Sequence, residues 1–485
     1  MKIKRIIALF ATSAMLLSCA SCGLVSVHRI DAPPREERVV EYDKINVNAE
    51  TNQNVFSSGK SSEKRKNAAV SLIKEKCADT YSGDIVFVAE TDDGNVFSDE
   101  TETVRDKLTV TRNALIEETL DVKLVFHRMS ENEMFGNAQR EKKAGEVYDD
   151  IFVIPSDKLL KYSTKGLLYD LSMLGGFSSD EVYFDKHSTT GSSLDSAIYA
   201  VAGDASFLPE DYTVVYYDRD LLLSAGIERD AILSDVESGE WTWERMLEYD
   251  AMLDGKTIAT PYSAPQFADI VYKSAGNDYL RKDKDKFSPA FDSETVRNFG
   301  ELFGRIADSG VKTSSYSAAD EFISGETSFL IHKLSAIEKI ASSSADYGIA
   351  PLPGCDGGGE CRTVMPKNIP VFAIGVNSDG KQAAYEVITA VNAATAPIIY
   401  EGYTEYILIN FLREQDSAEM LGKVFASGTY DPSYILGAEY PAVASATYDF
   451  VYKYRTADEK TLDKQYKAAV TAMNKALDKA AKAKK

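Results

Sequence analysis

The chain has 485 residues, of which 44% are hydrophobic and 27% charged, and its formal net charge is −21. That length exceeds one ordinary hydrophobic core and predicts two domains. The acidic balance argues against nucleic acid and against adsorption on anionic membranes. It leaves room for a small ligand, because a local site can oppose the global sign.

The first residues read as a targeting segment. Lys2, Lys4 and Arg5 precede an apolar run, Ile6 to Leu17, that is too short to span a bilayer. The run ends in LLSCASCG. This is similar to a bacterial lipoprotein cleavage box, with Cys19 as the acylated residue and Cys22 as the alternative, or an ordinary secretory signal as a further one. Loss of residues 1–18 removes three basic groups and leaves a charge of 51 − 75 = −24. An acylated cysteine anchors a protein to a membrane without spanning it. Five cysteines do not make a disulfide scaffold. Cys355 and Cys361 bracket the flexible loop DGGGE and form a candidate disulfide outside the cytoplasm, with two free thiols as the alternative. No paired Cys/His spacing points to a metal.

Residues 24 to about 60 are polar and aperiodic and predict a tether. Residues 61–78 have helical composition and predict a lead-in helix that frays. The folded body starts at Asp84. Ile85–Ala89, Val122–Phe126 and Asp150–Ile154 are predicted strands, alternating with helices over Arg105–Leu120 and Glu131–Ala144, which implies parallel βαβ units. Ile198–Ala202 and Thr213–Tyr217 are two further β-runs, separated by the polar bend GDASFLPEDY. Asp218 caps a helix closed by Gly226, and Thr242 caps the next, with Trp241 and Met246 as a hydrophobic staple. A second αβ series follows, with strands at Thr257–Pro261, up to His332, at Tyr347–Pro353 and at Ile369–Gly375. Helices then dominate: 380–395, 396–411, 417–425 and 457 to the end.

Several collinear motifs resemble one family, the extracellular solute-binding proteins of bacterial ABC importers, in its sugar-type branch. They are TRNALIEETLDVKL, YDDIFVIPSDKLLKYSTKGLLYDLSML, AIYAVAGDASF with VVYYDRDLLLSAGI and SGEWTWERMLE, FISGETSFL with DYGIAPLPG, and YEGYTEYILINFLREQDSAEMLGKVF. The resemblance covers roughly residues 84 to 470. It implies an α/β fold of two periplasmic-binding-protein-like lobes of type II, joined by hinge crossings, with a helical C-terminal part. Lobe 1 is expected at 84–207 and 369–425 and lobe 2 at 208–368 and 426–485, after a signal peptide (1–18) and a tether with lead-in helix (19–83). In place of the family's frequent tryptophan after the Phe-x-x-Gly…Phe strand, this chain reads IHKLSAI.

Ligands of open α/β sheets collect beyond the carboxyl ends of the strands. The candidates there are Glu90, Asp92, Asp93, Ser156, Asp157 and Asp204, whose oxygens accept hydrogen bonds from several hydroxyls. Tyr262 and Gln266 follow the strand TIATP. The resemblance adds His332 and Tyr448. Trp241 and Trp243, at a helix start, fit packing better than stacking on a sugar. Neither a G-x-S-x-G, an H-E-x-x-H nor a Walker loop occurs. The expected function is therefore non-enzymatic capture of a small solute, a carbohydrate first. The protein is expected to be a monomer at the extracellular face of the cell membrane, lipid-anchored, with an ABC permease and its ATPase as partners and no cofactor. A peptide or other polar metabolite, a surface enzyme acting on glycans, and a scaffold with a vestigial cleft are the alternatives.

Overall fold

A computed structural model describes residues 59–482, apart from 78–79, 93, 95, 99, 186–192, 195–196, 254–256, 284–285, 343–345, 355–360 and 413–415. Cys19, Cys22, Asp93 and Cys355 lie outside the described residues, so the cleavage box and the Cys355–Cys361 pairing do as well.

The first strands are β1 (Asp84–Thr91), β2 (Val122–Met129) and β3 (Ile151–Pro155), followed by a short pair, β4 (Ser193–Leu194) and β5 (Ala197–Ile198). Next come β6 (Thr213–Asp218), β7 (Thr257–Ala259), the hairpin β8 (Leu280–Asp283) and β9 (Lys286–Pro289), β10 (Thr327–Lys333) and β11 (Tyr347–Ala350). The last are β12 (Thr363–Val364), β13 (Pro370–Ile374) and β14 (Gly428–Thr429). Two separate four-stranded sheets result, in the orders β13-β3-β1-β2 and β11-β6-β10-β7. In the first sheet β1, β2 and β3 run parallel and β13 antiparallel. In the second, β6 opposes both β10 and β11, and β7 runs parallel to β10.

The period of two along a strand decides what each sheet buries. On β6, Val214 and Tyr216 join the core that surrounds the first sheet, whereas Val215 and Tyr217 join a second core with Ile258, Phe329 and Ile331. The second sheet is thus covered on both faces, which is why Tyr216 and Tyr217 are both buried. Gly348 is needed on β11 because a Cβ there would lie 2.2 Å from the ring of its cross-strand partner Tyr217.

The helices follow their sequence signals closely. Thr103 and Asp106 form a capping box ahead of the helix Val104–Leu120. Asp218 and Thr242 each accept a hydrogen bond from the third residue of their helices. The helix Ala231–Ser238, which the sequence reading passes over, buries Ile232 and Val236 one turn apart and ends on Gly239 at φ 75°. Asp230 stands at its N-cap position, but its side chain makes no capping hydrogen bond. Residues 381–410 are one helical run. The helix Lys381–Thr395 passes through a π-turn, Ala396–Tyr400, into the helix Glu401–Asn410. Pro397 lacks an N–H to donate, and the ladder shifts register there.

The two β-runs flanking GDASFLPEDY do not form a hairpin. Val201 bridges Phe372 of the first sheet, and β6 lies in the centre of the second. Of the expected 198–202 strand only Ile198 lies in a regular pairing, as the end of β5. At Gly203 a Cβ would lie 2.3 Å from the Tyr183 carbonyl, so the chain passes through a gap that admits no side chain. Tyr400, carried by the π-turn, donates to the Asp204 and Phe207 carbonyls at 2.7 and 3.0 Å. Its ring stacks on Phe425 and meets Tyr212 edge-on.

The lead-in helix is docked rather than frayed. It spans Gly59–Lys76 and packs against the helices 381–395 and 104–120. Arg65, Ala69, Ile73 and Cys77 recur every four residues and are all buried. Arg65 pairs with Glu405 inside this contact. The Cys77 thiol is pushed up to about 12, chiefly by burial. Among the described residues no helix is long and apolar enough to cross a membrane.

A carboxylate-rich patch precedes β3. His127 Nδ1 lies 2.7 Å from Asp149 Oδ1. Burial, with Asp149 and Asp150 nearby, pushes the Glu141 carboxyl from an ordinary 4.5 up to about 7. The folded state then holds a proton that the unfolded chain releases, so this group's effect on stability is least unfavourable near pH 4.5 and worsens as pH rises to about 7. Glu141→Gln is therefore expected to raise the melting temperature at pH 8, with the gap over wild type narrowing towards pH 5. A constant gap across calorimetric scans in that range would contradict this.

Candidate functional site

The parallel order of β1 and β3 brings Thr91 and Pro155 to one edge of the first sheet, and antiparallel β13 starts beside Pro155. The segment Lys367–Asn368–Ile369 is thereby delivered to the turn Ser156–Asp157. Ser156 holds the junction: its N–H donates to Ile369 O at 2.8 Å, its Oγ accepts from Ile369 N at 3.1 Å and lies 2.7 Å from Tyr430 OH. The Asp157 N–H donates to Asn368 Oδ1 at 3.4 Å, and the Asp157 carboxylate pairs with Lys158. The helix Ser433–Glu439 packs on this turn and on the helix Leu159–Thr164.

Tyrosines line the adjoining wall. Tyr430 donates to Lys367 O at 2.9 Å. The Tyr434 and Tyr448 ring centres are 5.9 Å apart at 61°, and Tyr279 meets Tyr448 edge-on at 6.0 Å. Beneath them Asp269, on the helix Ala264–Ser274, accepts from Tyr279 at 2.8 Å and from Tyr434 at 2.5 Å. Lys273, one turn further on, is paired with Asp431, and both are buried. Tyr279, Tyr430 and Tyr434 are buried and Tyr448 is half-buried, so this corner sets one partly open aromatic face beside hydroxyl, amide and carboxylate groups.

The carboxyl ends of β7 and β10 and the start of β6 share one edge of the second sheet. Thr213 Oγ1 lies 2.9 Å from Tyr262 OH, and Lys333 pairs with Asp211 at 2.7 Å. His332 is half-buried on β10, and burial lowers its pKa.

Of the candidate residues, the structure brings Ser156, Asp157 and Tyr448 into the tyrosine corner, and Tyr262 and His332 to the edge of the second sheet. Gln266 is exposed in a capping box with Ser263, one turn before Asp269. Asp92 is exposed after β1. Glu90 is 0% exposed and accepts from Val96 N at 2.7 Å and Phe97 N at 3.3 Å, fixing the loop after β1. Burial pushes its carboxyl up to about 7 against those hydrogen bonds and the charges of Arg128 and Arg112. Asp204 is buried in the crossing below Tyr400. Trp241 and Trp243 are buried and donate to Pro351 O and Ser274 Oγ, at 2.8 and 2.9 Å. Sequence reasoning did not single out Lys367, Asn368, Asp269, Tyr430 or Tyr434. For Tyr430 and Tyr434 the signal was the density of tyrosines in TYDPSYILGAEYPAVASATYDF, a segment that contains none of the other three.

Among curated protein sequences none matches the chain. Solved structures do. The cyclic α-maltosyl-1,6-maltose binding protein of Arthrobacter globiformis superposes with a TM-score of 0.55 at 16% identity, covering 82% of this chain and 100% of that one. The sugar-binding protein MalE of Xanthomonas citri gives 0.52 at 13%, over 82% and 97%. A cyclo/maltodextrin-binding protein complexed with maltotetraose gives 0.51 at 15%, over 81% and 97%. At such identities the likeness establishes the two-lobe α/β fold with its helical C-terminal part. The model of the bacterial extracellular solute-binding proteins matches residues 112–409, more than half of the sequence. With that match, the chain belongs to the family of bacterial extracellular solute-binding proteins.

Proposed function

We propose that this protein captures a carbohydrate outside the cytoplasmic membrane and delivers it to an ABC importer, held at the cell surface by a lipid on Cys19 or, alternatively, Cys22. It works as a monomer and does no chemistry on its ligand. Lobe 1 is assigned to 84–207 and 369–425, and lobe 2 to 208–368 and 426–485. Closure of the two lobes stabilises the bound state, because the closed form gains contacts from both sides.

The observation that carries the ligand class is the corner of Tyr434, Tyr448, Asn368 and Asp157. Pyranose rings offer an apolar face to an aromatic wall and a hydroxyl rim to amide and carboxylate groups. The solved structures of similar fold support it, being named for binding cyclic maltosyl-maltose, sugar and cyclo/maltodextrin. Among the candidate residues, Asp157, Tyr262 and Tyr448 are assigned direct contacts with ligand, and Ser156, which is buried, is assigned the positioning of the turn that carries Asp157.

Thermal-shift measurements against linear and cyclic maltodextrins, other oligosaccharides and a set of short peptides test the reading. A sugar at about 100 times its Kd should add about 2.7 kcal/mol of stability, a displacement of several degrees. A silent sugar panel beside a stabilising peptide would replace carbohydrate by peptide. Consumption of the sugar on long incubation would make the protein a glycan-acting enzyme instead.

A further inference from the structure

The tyrosine corner is already occupied, and its occupant is part of the chain. The Lys367 Nζ lies 4.0 Å from the centre of the Tyr448 ring, 5.3 Å from that of Tyr434, and 4.0 Å from Asp269 Oδ2. Two aromatic faces and a carboxylate thus direct negative potential at one point, the arrangement that selects an alkylammonium group. The receiving groups are fixed. Asp269 is held by the hydroxyls of Tyr279 and Tyr434, and the Lys367 carbonyl by Tyr430. The Lys367 side chain itself is 49% exposed and hangs on a flexible stem. The other ammonium of the neighbourhood, Lys273, approaches the Tyr434 and Tyr279 rings at 5.1 and 4.8 Å and is committed to Asp431.

We propose that Tyr434, Tyr448 and Asp269 form an ammonium cage and that Lys367, its built-in occupant, is a specificity-determining residue that excludes cationic solutes. The acidic surface of this protein raises the local concentration of every small cation. A cage of this make-up left vacant at the ligand wall would take amines and basic peptides. A tethered ammonium competes with them at a high effective concentration, whereas a neutral polyol is not drawn to the cage by charge and can be held through Asp157 and Asn368. The assignment of this corner to the ligand rests on the carbohydrate reading above; the cage itself does not.

The test uses the intact protein with Lys367→Ala and Lys367→Met, titrated with tetramethylammonium and methylammonium chloride against sodium chloride at equal ionic strength, and followed by calorimetry and by proton line broadening of the added cation. Both variants are expected to bind the organic cations at least about tenfold more tightly than wild type, the size of a single cation–π contact of moderate strength. Adding Tyr448→Leu, which keeps bulk and removes the π face, should cancel the gain. Variants with wild-type circular dichroism that bind no better than wild type would overturn the proposal, as would a gain that survives Tyr448→Leu. A sugar panel silent on wild type and variants alike would remove the carbohydrate reading and leave the ammonium result standing. A stabilising sugar without any ammonium gain would do the reverse.

Discussion

Asp431→Ala is expected to destabilise the protein by about 3–5 kcal/mol, the cost of leaving one member of a buried ion pair alone. Asp431 is 3% exposed and its partner Lys273 2% exposed. The carboxylate also accepts from the backbone of Ser433 at 2.6 Å and of Tyr279 at 3.2 Å, so its removal strands an ammonium and two N–H donors together. Burial alone would raise the Asp431 carboxyl, but Lys273 and Ser433 outweigh it and hold the group below its ordinary 3.8. A lowered carboxyl contributes stability above the unfolded value, and that contribution disappears as pH falls from about 3.8 through the folded value. The wild-type advantage over Asp431→Ala should therefore be full at pH 7 and shrink in strong acid. Replacing both partners, as Lys273→Met with Asp431→Leu, is expected to cost much less than the single change, because no charge is left unpaired. Urea unfolding of the three proteins measures this; a single variant within about 1 kcal/mol of wild type would show that water or rearrangement rescues the lysine.

Trp241→Ala is expected to cost about 3–5 kcal/mol while leaving ligand selectivity as it is. The indole is 2% exposed in the second core, and its N–H is satisfied by Pro351 O. The Trp241 backbone carbonyl also accepts from Gly354 N at 2.8 Å, tying the start of the helix Trp243–Met252 to the chain beyond β11. Nothing in this setting faces a solute. Unchanged melting together with lost sugar binding would assign the residue to the ligand instead.

The βαβ units and most helix limits were legible because they depend on local signals. Glu131–Ala144 carries a capping side chain at Ser130, and its predicted limits match residue for residue. The hairpin of β8 and β9 was not legible, since the charged run RKDKDKF lacks a strand's alternation. The docking of the first helix was hidden for another reason. Its buried stripe includes Arg65, a residue that counts as polar in any pattern and is buried only because Glu405, far along the chain, meets it. The site shows the same division. Ser156 and Asp157 follow from the rule that places ligands beyond strand ends. Lys367 and Asp269 meet through a crossing segment and a helix from separate parts of the sequence, and no local period encodes such a meeting.

The strand order of the first sheet also sets an order of assembly. Its edge strand β13 starts at Pro370, whereas its neighbour β3 ends at Pro155, and all of the second sheet is encoded in the interval. A chain appearing from its N-terminus can pair β1, β2 and β3 early, because their connections are short. The outer side of β3 must then wait for its partner, and β3 presents Ile151, Phe152, Val153 and Ile154, four apolar residues in a row. Until Pro370–Ile374 arrives, that edge is a template for another chain, so nascent copies are most exposed to edge-to-edge aggregation during the synthesis of the second sheet.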